Sequence, residues 1–219
     1  MKKESHNPSG QAIPVYQLKI VLSDLKPLIW RQVLVRGDTN LGFLHAVIQV
    51  VMGWTNSHLH QFLVGERYYS DPSSELDEDT VPGRILDENQ AVLMDVAPHK
   101  GDVLWYEYDF GDSWHHGIHV EEIQTPASPR PGPVECIGGA RACPPEDCGG
   151  MPGYLDLLDT LKHPKRREYA EIMEWLGGSF DPETFDLNKA NRYLHKLKWP
   201  RTTVDQLARI LMQRDGARE

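Results

Sequence analysis

The chain has 219 residues, of which 40% are hydrophobic and 25% charged, and its formal net charge is −9. This is the balance of an ordinary globular chain with enough apolar residues for one large core. It argues against broad nonspecific nucleic-acid binding, no apolar run reaches the roughly 18 residues of a membrane span, and an odd count of three cysteines disfavours a disulfide framework.

The opening MKKESHNPSGQAIP has a basic start without an apolar core behind it, so residues 1–15 read as a loose tail and not as a secretory signal. With three reducible thiols, the expected location is cytoplasmic. Tyr16, Leu18, Ile20 and Leu22 alternate as in a half-buried strand, and after a turn at Lys26-Pro27 residues 29–35 make a second strand. Leu41, Leu44, Ile48, Val51 and Met52 share a helical face, with Thr39 as the expected cap and Gly53 as the stop. His58, His60, Phe62 and Val64 share one face of a third strand. Residues 66–88 are acidic and turn-rich and read as a solvated loop.

Residues 103–110 and 114–122 are strong strands, and Gly111-Asp112 between them suits a two-residue type II′ hairpin, with Gly111 expected at positive φ. A Pro-rich linker over residues 125–133 leads to the stretch CIGGARACPPEDCGGMPGY, expected to be an irregular loop because its glycines and prolines suit neither helix nor strand. Four amphipathic helices follow, around residues 154–161, 169–176, 187–194 and 204–211, the third capped by Asp186. The order predicts an α+β fold: a mostly antiparallel sheet (β-β-α-β, then a β-hairpin) with a C-terminal group of helices.

Several blocks resemble a known family: KPLIWRQVLV, LHAVIQVVMGW, HLHQF, YEYDFGDSWHH, the cysteine stretch ending GGMPGY, and FDPETFDLNKANRYL. In this order the chain resembles the pRiA4b ORF-3-like proteins of plasmids and mobile elements. The resemblance implies an α+β domain over residues 16–197, with residues 198–219 as a C-terminal helical extension, and it implies no activity. Some members carry a resolvase label, but the early strands here offer only Ser23 and Arg31, too little for a serine recombinase.

Cys136, Cys143 and Cys148 approach zinc-ligand spacing, and a thiolate site would fix a loop without a core of its own. The expected fourth ligand is His116, with His58, His60 and His163 as alternatives; the competing reading is three buried thiols. Asp109-Phe110-Gly111-Asp112 looks like a kinase metal motif but lacks every companion motif, which leaves a hairpin tip or an acid pair. Lys189, Arg192, Lys196, Lys198 and Arg201 form the expected contact for any nucleic acid. The first functional reading is therefore a binding or accessory module of plasmid or mobile-element type with a structural zinc. The alternative is a metal-assisted hydrolase or nuclease whose catalytic candidates are Asp109, Asp112, His58, His60 and Glu146.

Overall fold

Alternation of apolar and polar residues puts Tyr16, Leu18, Ile20 and Leu22 on the buried face of strand β1 (Val15–Leu22), while Gln17, Lys19 and Val21 face outward. The same rule governs β2 (Trp30–Arg36), β6 (Val103–Tyr108) and β7 (Trp114–Gln124). In the computed structural model, which describes residues 12–74, 84–125 and 134–215, these strands join β3 (His60–Val64), β4 (Arg67–Ser70), β5 (Ile85–Asp87) and β8 (Glu135–Ala140) in one sheet of order β5-β4-β3-β6-β7-β1-β2-β8. Its pairings are antiparallel except β4 with β5. With the helices α1 (Leu41–Met52), the single turn α2 (Leu93–Val96), α3 (Gly150–Leu161), α4 (Arg167–Trp175), α5 (Leu187–Leu194) and α6 (Val204–Asp215), the protein is α+β. No helix among the described residues is long and apolar enough to cross a membrane.

Helix α1 is apolar nearly all round, and every one of its residues except Gly42 is buried. The inner sheet face covers it on one side, and α5 packs against it and against β8. The cap is Asn40 and not Thr39: the Asn40 side chain accepts from the Phe43 amide at 2.7 Å, whereas Thr39 is buried. At the other end Gly53 adopts φ 102°, the left-handed stop expected of glycine.

No basic residue occupies the last turn of α1, and the exposed carbonyls there are met from outside the helix. Arg31, 1% exposed, donates from Nε to the Val51 carbonyl (2.7 Å) and from NH1 to the carbonyls of Trp30 (2.8 Å) and Ala140 (2.9 Å). Its guanidinium lies 3.9 Å from the Phe185 ring centroid. One buried cation thus ties β2, β8, α1 and the segment before α5 together.

Four further expectations are corrected. The hairpin tip is a five-residue connection, residues 109–113, and Gly111 is not at positive φ; Asp109 (58°) and Ser113 (55°) are. The Asp109 carboxylate explains this, since its Oδ1 accepts from the amides of Gly111 (3.0 Å) and Asp112 (3.3 Å) and folds the tip around itself. The cysteine stretch is not all loop: it begins in β8, which pairs with β2, and ends in α3. The acidic segment carries β4, β5 and the buried Glu88, and residues 75–83 lie outside the described residues. His58 precedes β3, so of the four residues assigned to that strand only His60, Phe62 and Val64 lie in it. Residues 1–11 and 126–133, read as tail and linker, lie outside the described residues too. The C-terminal extension packs on the domain: Leu207, Ile210 and Leu211 are buried, and Trp199 lies under the Arg36 guanidinium at 4.0 Å.

Arg31→Met should destabilise the protein by about 3 kcal/mol, because the Val51 and Ala140 carbonyls stay buried without donors, and Arg31→Lys by about half as much, because an ammonium cannot reproduce the planar fork. Urea unfolding of the two variants checks the ranking.

Candidate metal centre

The polar turn after α1, residues 54–58, has no apolar side chain of its own to fix it beyond Trp54. Two hydrogen-bond systems do so. In the first, the Gln49 amide donates to the Tyr106 hydroxyl (3.2 Å), His45 Nδ1 lies 2.9 Å from that hydroxyl, and His45 Nε2 lies 2.7 Å from Asn56 Oδ1. Asn56 Oδ1 only accepts, so Nε2 carries the proton and Nδ1 accepts from Tyr106. The Asn56 amide then donates to Gln49 Oε1 at 2.8 Å and closes the circuit.

In the second, Glu146 Oε1 accepts from the Thr55 amide (2.6 Å), the Thr55 hydroxyl (2.8 Å) and the Tyr108 hydroxyl (3.0 Å). The Trp54 indole, stacked on Tyr108, donates to the Pro144 carbonyl at 3.1 Å. The residues 144–146 are thereby held on the turn that carries His58.

His58 Nε2 is the point of convergence. It lies 2.9 Å from Asp147 Oδ1, 3.5 Å from Asp109 Oδ2 and 3.9 Å from Glu146 Oε2. None of these contacts has hydrogen-bond geometry: His58 Nε2 and Glu146 Oε2 are both buried atoms without a hydrogen-bond partner. Donor atoms at such spacing, aimed at one another without bonding, match the separations of about 3 to 3.5 Å between adjacent ligands of an ion bound at about 2.1 Å. Among the described residues, His58, Asp109 and Asp147 are the group of three whose ligand atoms lie mutually within 4.8 Å. The other carboxylate oxygens are committed to the fold, Asp109 Oδ1 to the tip amides and Glu146 Oε1 to Thr55 and Tyr108. Backbone strain gathers here as well: Asn56, Asp109 and Asp147 all have φ between 55° and 58°.

Of the catalytic candidates read from sequence, Asp109, His58 and Glu146 come together. Asp112 is set aside from them, its Oδ2 accepting from the Gly149 amide at 3.2 Å, which docks the hairpin tip on the start of α3. His60 is engaged elsewhere, stacked on His45 at 3.5 Å and bonded through Nε2 to Glu88 Oε2 at 2.8 Å. Burial holds both members of this pair toward their neutral forms, His60 down and Glu88 up.

The expected thiolate site is not assembled. Cys136 sits in β8 with Sγ 3.4 Å from the Gly138 carbonyl, and Cys148 precedes α3 with Sγ 4.0 Å from the Gly150 carbonyl. Cys143 is buried near Arg31, and His116 is buried in β7 with Nδ1 3.4 Å from the Tyr106 carbonyl. Cys136 lies in β8, whereas Cys143 and Cys148 lie in the loop between β8 and α3, and among the described residues the three sulfurs do not gather with a histidine into one group of ligand atoms. His163 is exposed, bonded to the Asp159 carbonyl. Of the basic residues, Arg192 and Lys198 are exposed, Lys196 is bound to Gln213 and the Tyr193 ring, Lys189 lies beside Arg31, and Arg201 lines a cavity described below.

His45, Tyr106, Tyr108 and Glu88 were not among the sequence candidates, whereas Asp147 stands beside Glu146 in a carboxylate pair that the sequence already offers to a metal. His45 and Gln49, one helical turn apart in an otherwise apolar helix, were the available signal.

The family model for plasmid pRiA4b ORF-3-like proteins matches residues 14–189. The chain belongs to that family. A relative, the uncharacterized protein y4hQ of Sinorhizobium fredii, is 34% identical over 190 residues, 85% of this chain and 95% of its own length. The crystal structure of MM3350, a protein of unknown function from Methanosarcina mazei Go1, matches with a TM-score of 0.68 at 33% identity, covering 81% of this chain and 97% of that one. His58, Asp109, Glu146 and Asp147 all fall inside the pRiA4b ORF-3-like region, whereas α6 falls outside it.

Burial lowers the pKa values of His45 and His116 to about 3. In the unfolded chain each takes a proton below about pH 6.5, so unfolding between pH 6.5 and 3 takes up about two protons from this pair. Their contribution is fully present above pH 6.5 and is lost as pH falls, at up to about 2.7 kcal/mol per pH unit. The buried His60–Glu88 pair shifts in opposite directions and largely cancels. Stability measured by denaturant titration from pH 7 to 4.5 should therefore fall steeply, and His116→Phe should flatten the slope by about one proton.

Proposed function

We propose that this protein is a divalent-cation-dependent hydrolase whose cation is held by His58, Asp109 and Asp147. The single observation that carries the reading is the convergence of three carboxylates on a buried, unbonded imidazole nitrogen. One imidazole with carboxylate oxygens is a donor set suited to zinc, manganese or magnesium, and three protein ligands leave positions for water and substrate. A cation there supplies Lewis acidity and an acidified water.

The chain's own residues account for the rest. Tyr108 and Thr55 bind one oxygen of Glu146 and so aim the other, Oε2, at the site. With a cation held there, this unbonded carboxylate oxygen, 3.9 Å from the His58 nitrogen, would serve as the general base. Burial and the Glu146 carboxylate keep the Tyr108 hydroxyl protonated, so it stays a donor to Glu146. A closed circuit through Gln49, Tyr106, His45 and Asn56 holds the turn rigid, which keeps the donor atoms near their working positions without the ion.

Isothermal titration of the metal-stripped protein with Mn²⁺ and Zn²⁺ should give one site per chain. His58→Ala or Asp109→Asn should weaken it at least about 100-fold, since even outer-shell partners are worth about 10- to 100-fold. Glu146→Gln, which keeps Oε1, should leave the affinity within about tenfold of wild type while abolishing metal-dependent cleavage of chromogenic ester and phosphodiester substrates. Equal metal binding by wild type and His58→Ala would refute the reading.

A further inference from the structure

A cavity of about 550 Å³ has His58 in its wall but none of Asp109, Glu146 and Asp147. It is a separate wall system that shares only His58 with the proposed cation ligands. Its base includes the imidazoles of His45 and His60, stacked 3.5 Å apart and 7° from parallel, an arrangement that excludes two positive charges. Around them stand Asp71, Glu88 and Asp205, against one basic side chain, Arg201, among the described lining residues.

Glu88 points to a ligand independently of this charge count. It is 3% exposed and gives one oxygen to His60, yet no hydrogen bond among the described residues reaches Oε1. That oxygen faces Gly42, the one residue of α1 that is not buried. A Cβ at Gly42 would come within 3.0 Å of Glu88 Oε1 and 2.8 Å of Asn89 Oδ1. Gly42 has no positive φ to explain it, and glycine inside a helix costs about 1 kcal/mol relative to alanine. The glycine therefore keeps two acceptor oxygens clear at the cavity wall. With Oε2 given to His60, Oε1 is left to meet a donor from the cavity side.

We propose that this cavity binds a small protonated amine, its ammonium group held by Glu88, Asn89 and Asp71. The volume suits a small organic molecule, and the wall carries the carboxyl groups of Asp71, Glu88 and Asp205 against the one guanidinium of Arg201. The free oxygen of Glu88 takes one ammonium proton, and Asn89 Oδ1 takes a second beside it. Asp71 supplies the outer negative charge, its own Oδ1 already fixed by the Ser73 amide and hydroxyl at 2.8 Å each. Residues of the segment Arg201 to Leu207 also line the cavity and lie beyond the residues that the family model matches. Arg201 there suits a ligand with a carboxylate at its other end.

The test is calorimetric titration of the full chain with butylamine, 4-aminobutyrate and butyrate. Both amines should bind in the about millimolar range expected of such small ligands, and butyrate should not. Glu88→Gln should weaken amine binding by at least about tenfold while Mn²⁺ affinity is kept. Asp71→Asn, which preserves the Ser73 bonds, should weaken it in the same direction and serves if Glu88→Gln does not fold. The proposal is overturned if neither amine binds, if butyrate binds as well as butylamine, or if folded variants at both positions bind amine as wild type does. Loss of the proposed cation site through Asp109→Asn leaves these outcomes unchanged, because Asp109 is not in the cavity wall, so the two readings fail separately.

Discussion

Glu146 Oε1 accepts three hydrogen bonds, from the amide and hydroxyl of Thr55 and the hydroxyl of Tyr108. Hydrogen bonds to a charged acceptor are worth about 1.5 to 3 kcal/mol each, so this one oxygen is among the stronger local constraints in the molecule. It joins three segments far apart in sequence: the turn after α1, the strand β6 and the Pro-rich start of the cysteine loop. It also sets the direction of its sister oxygen. With Oε1 committed, Oε2 has no freedom to find a partner of its own and is left buried and unbonded beside His58.

The same division recurs at Asp109, where one oxygen folds the hairpin tip and the other turns toward His58. A carboxylate that serves only structure would bond through both oxygens or reach solvent. Here the structural oxygens are satisfied and the remaining ones crowd a buried nitrogen. Unfavourable backbone conformations at Asn56, Asp109 and Asp147 add to the local cost. A fold bears such costs where the arrangement serves something besides its own stability, and an ion at the centre would offset them.

Much of the fold was legible in the sequence because its cause is local. Period-two alternation gave β1, β2, β6 and β7, and helical periodicity with Gly53 and Asp186 as end signals gave α1 and α5. What escaped depends on distant partners. Glu135–Ala140 reads as loop because of its glycines, yet β2 offers a strand edge to pair with. Gly111-Asp112 satisfies the rule for a two-residue turn, but Asp109 captures the tip amides and makes a longer one. The site was half legible. His58 was read in a strand, Asp109 at a hairpin tip and Glu146 with its neighbour Asp147 in an irregular loop, each a polar residue with a local reason of its own. No spacing rule reports that three turns meet.

The central claim is that the His58 cluster is a cation site, and anomalous diffraction from crystals soaked in Mn²⁺ tests it most directly. The account predicts one peak per chain, within about 2.0 to 2.3 Å of His58 Nε2, Asp109 Oδ2 and Asp147 Oδ1. No peak at that position, or a peak among Cys136, Cys143 and Cys148 with His58 unoccupied, would contradict it.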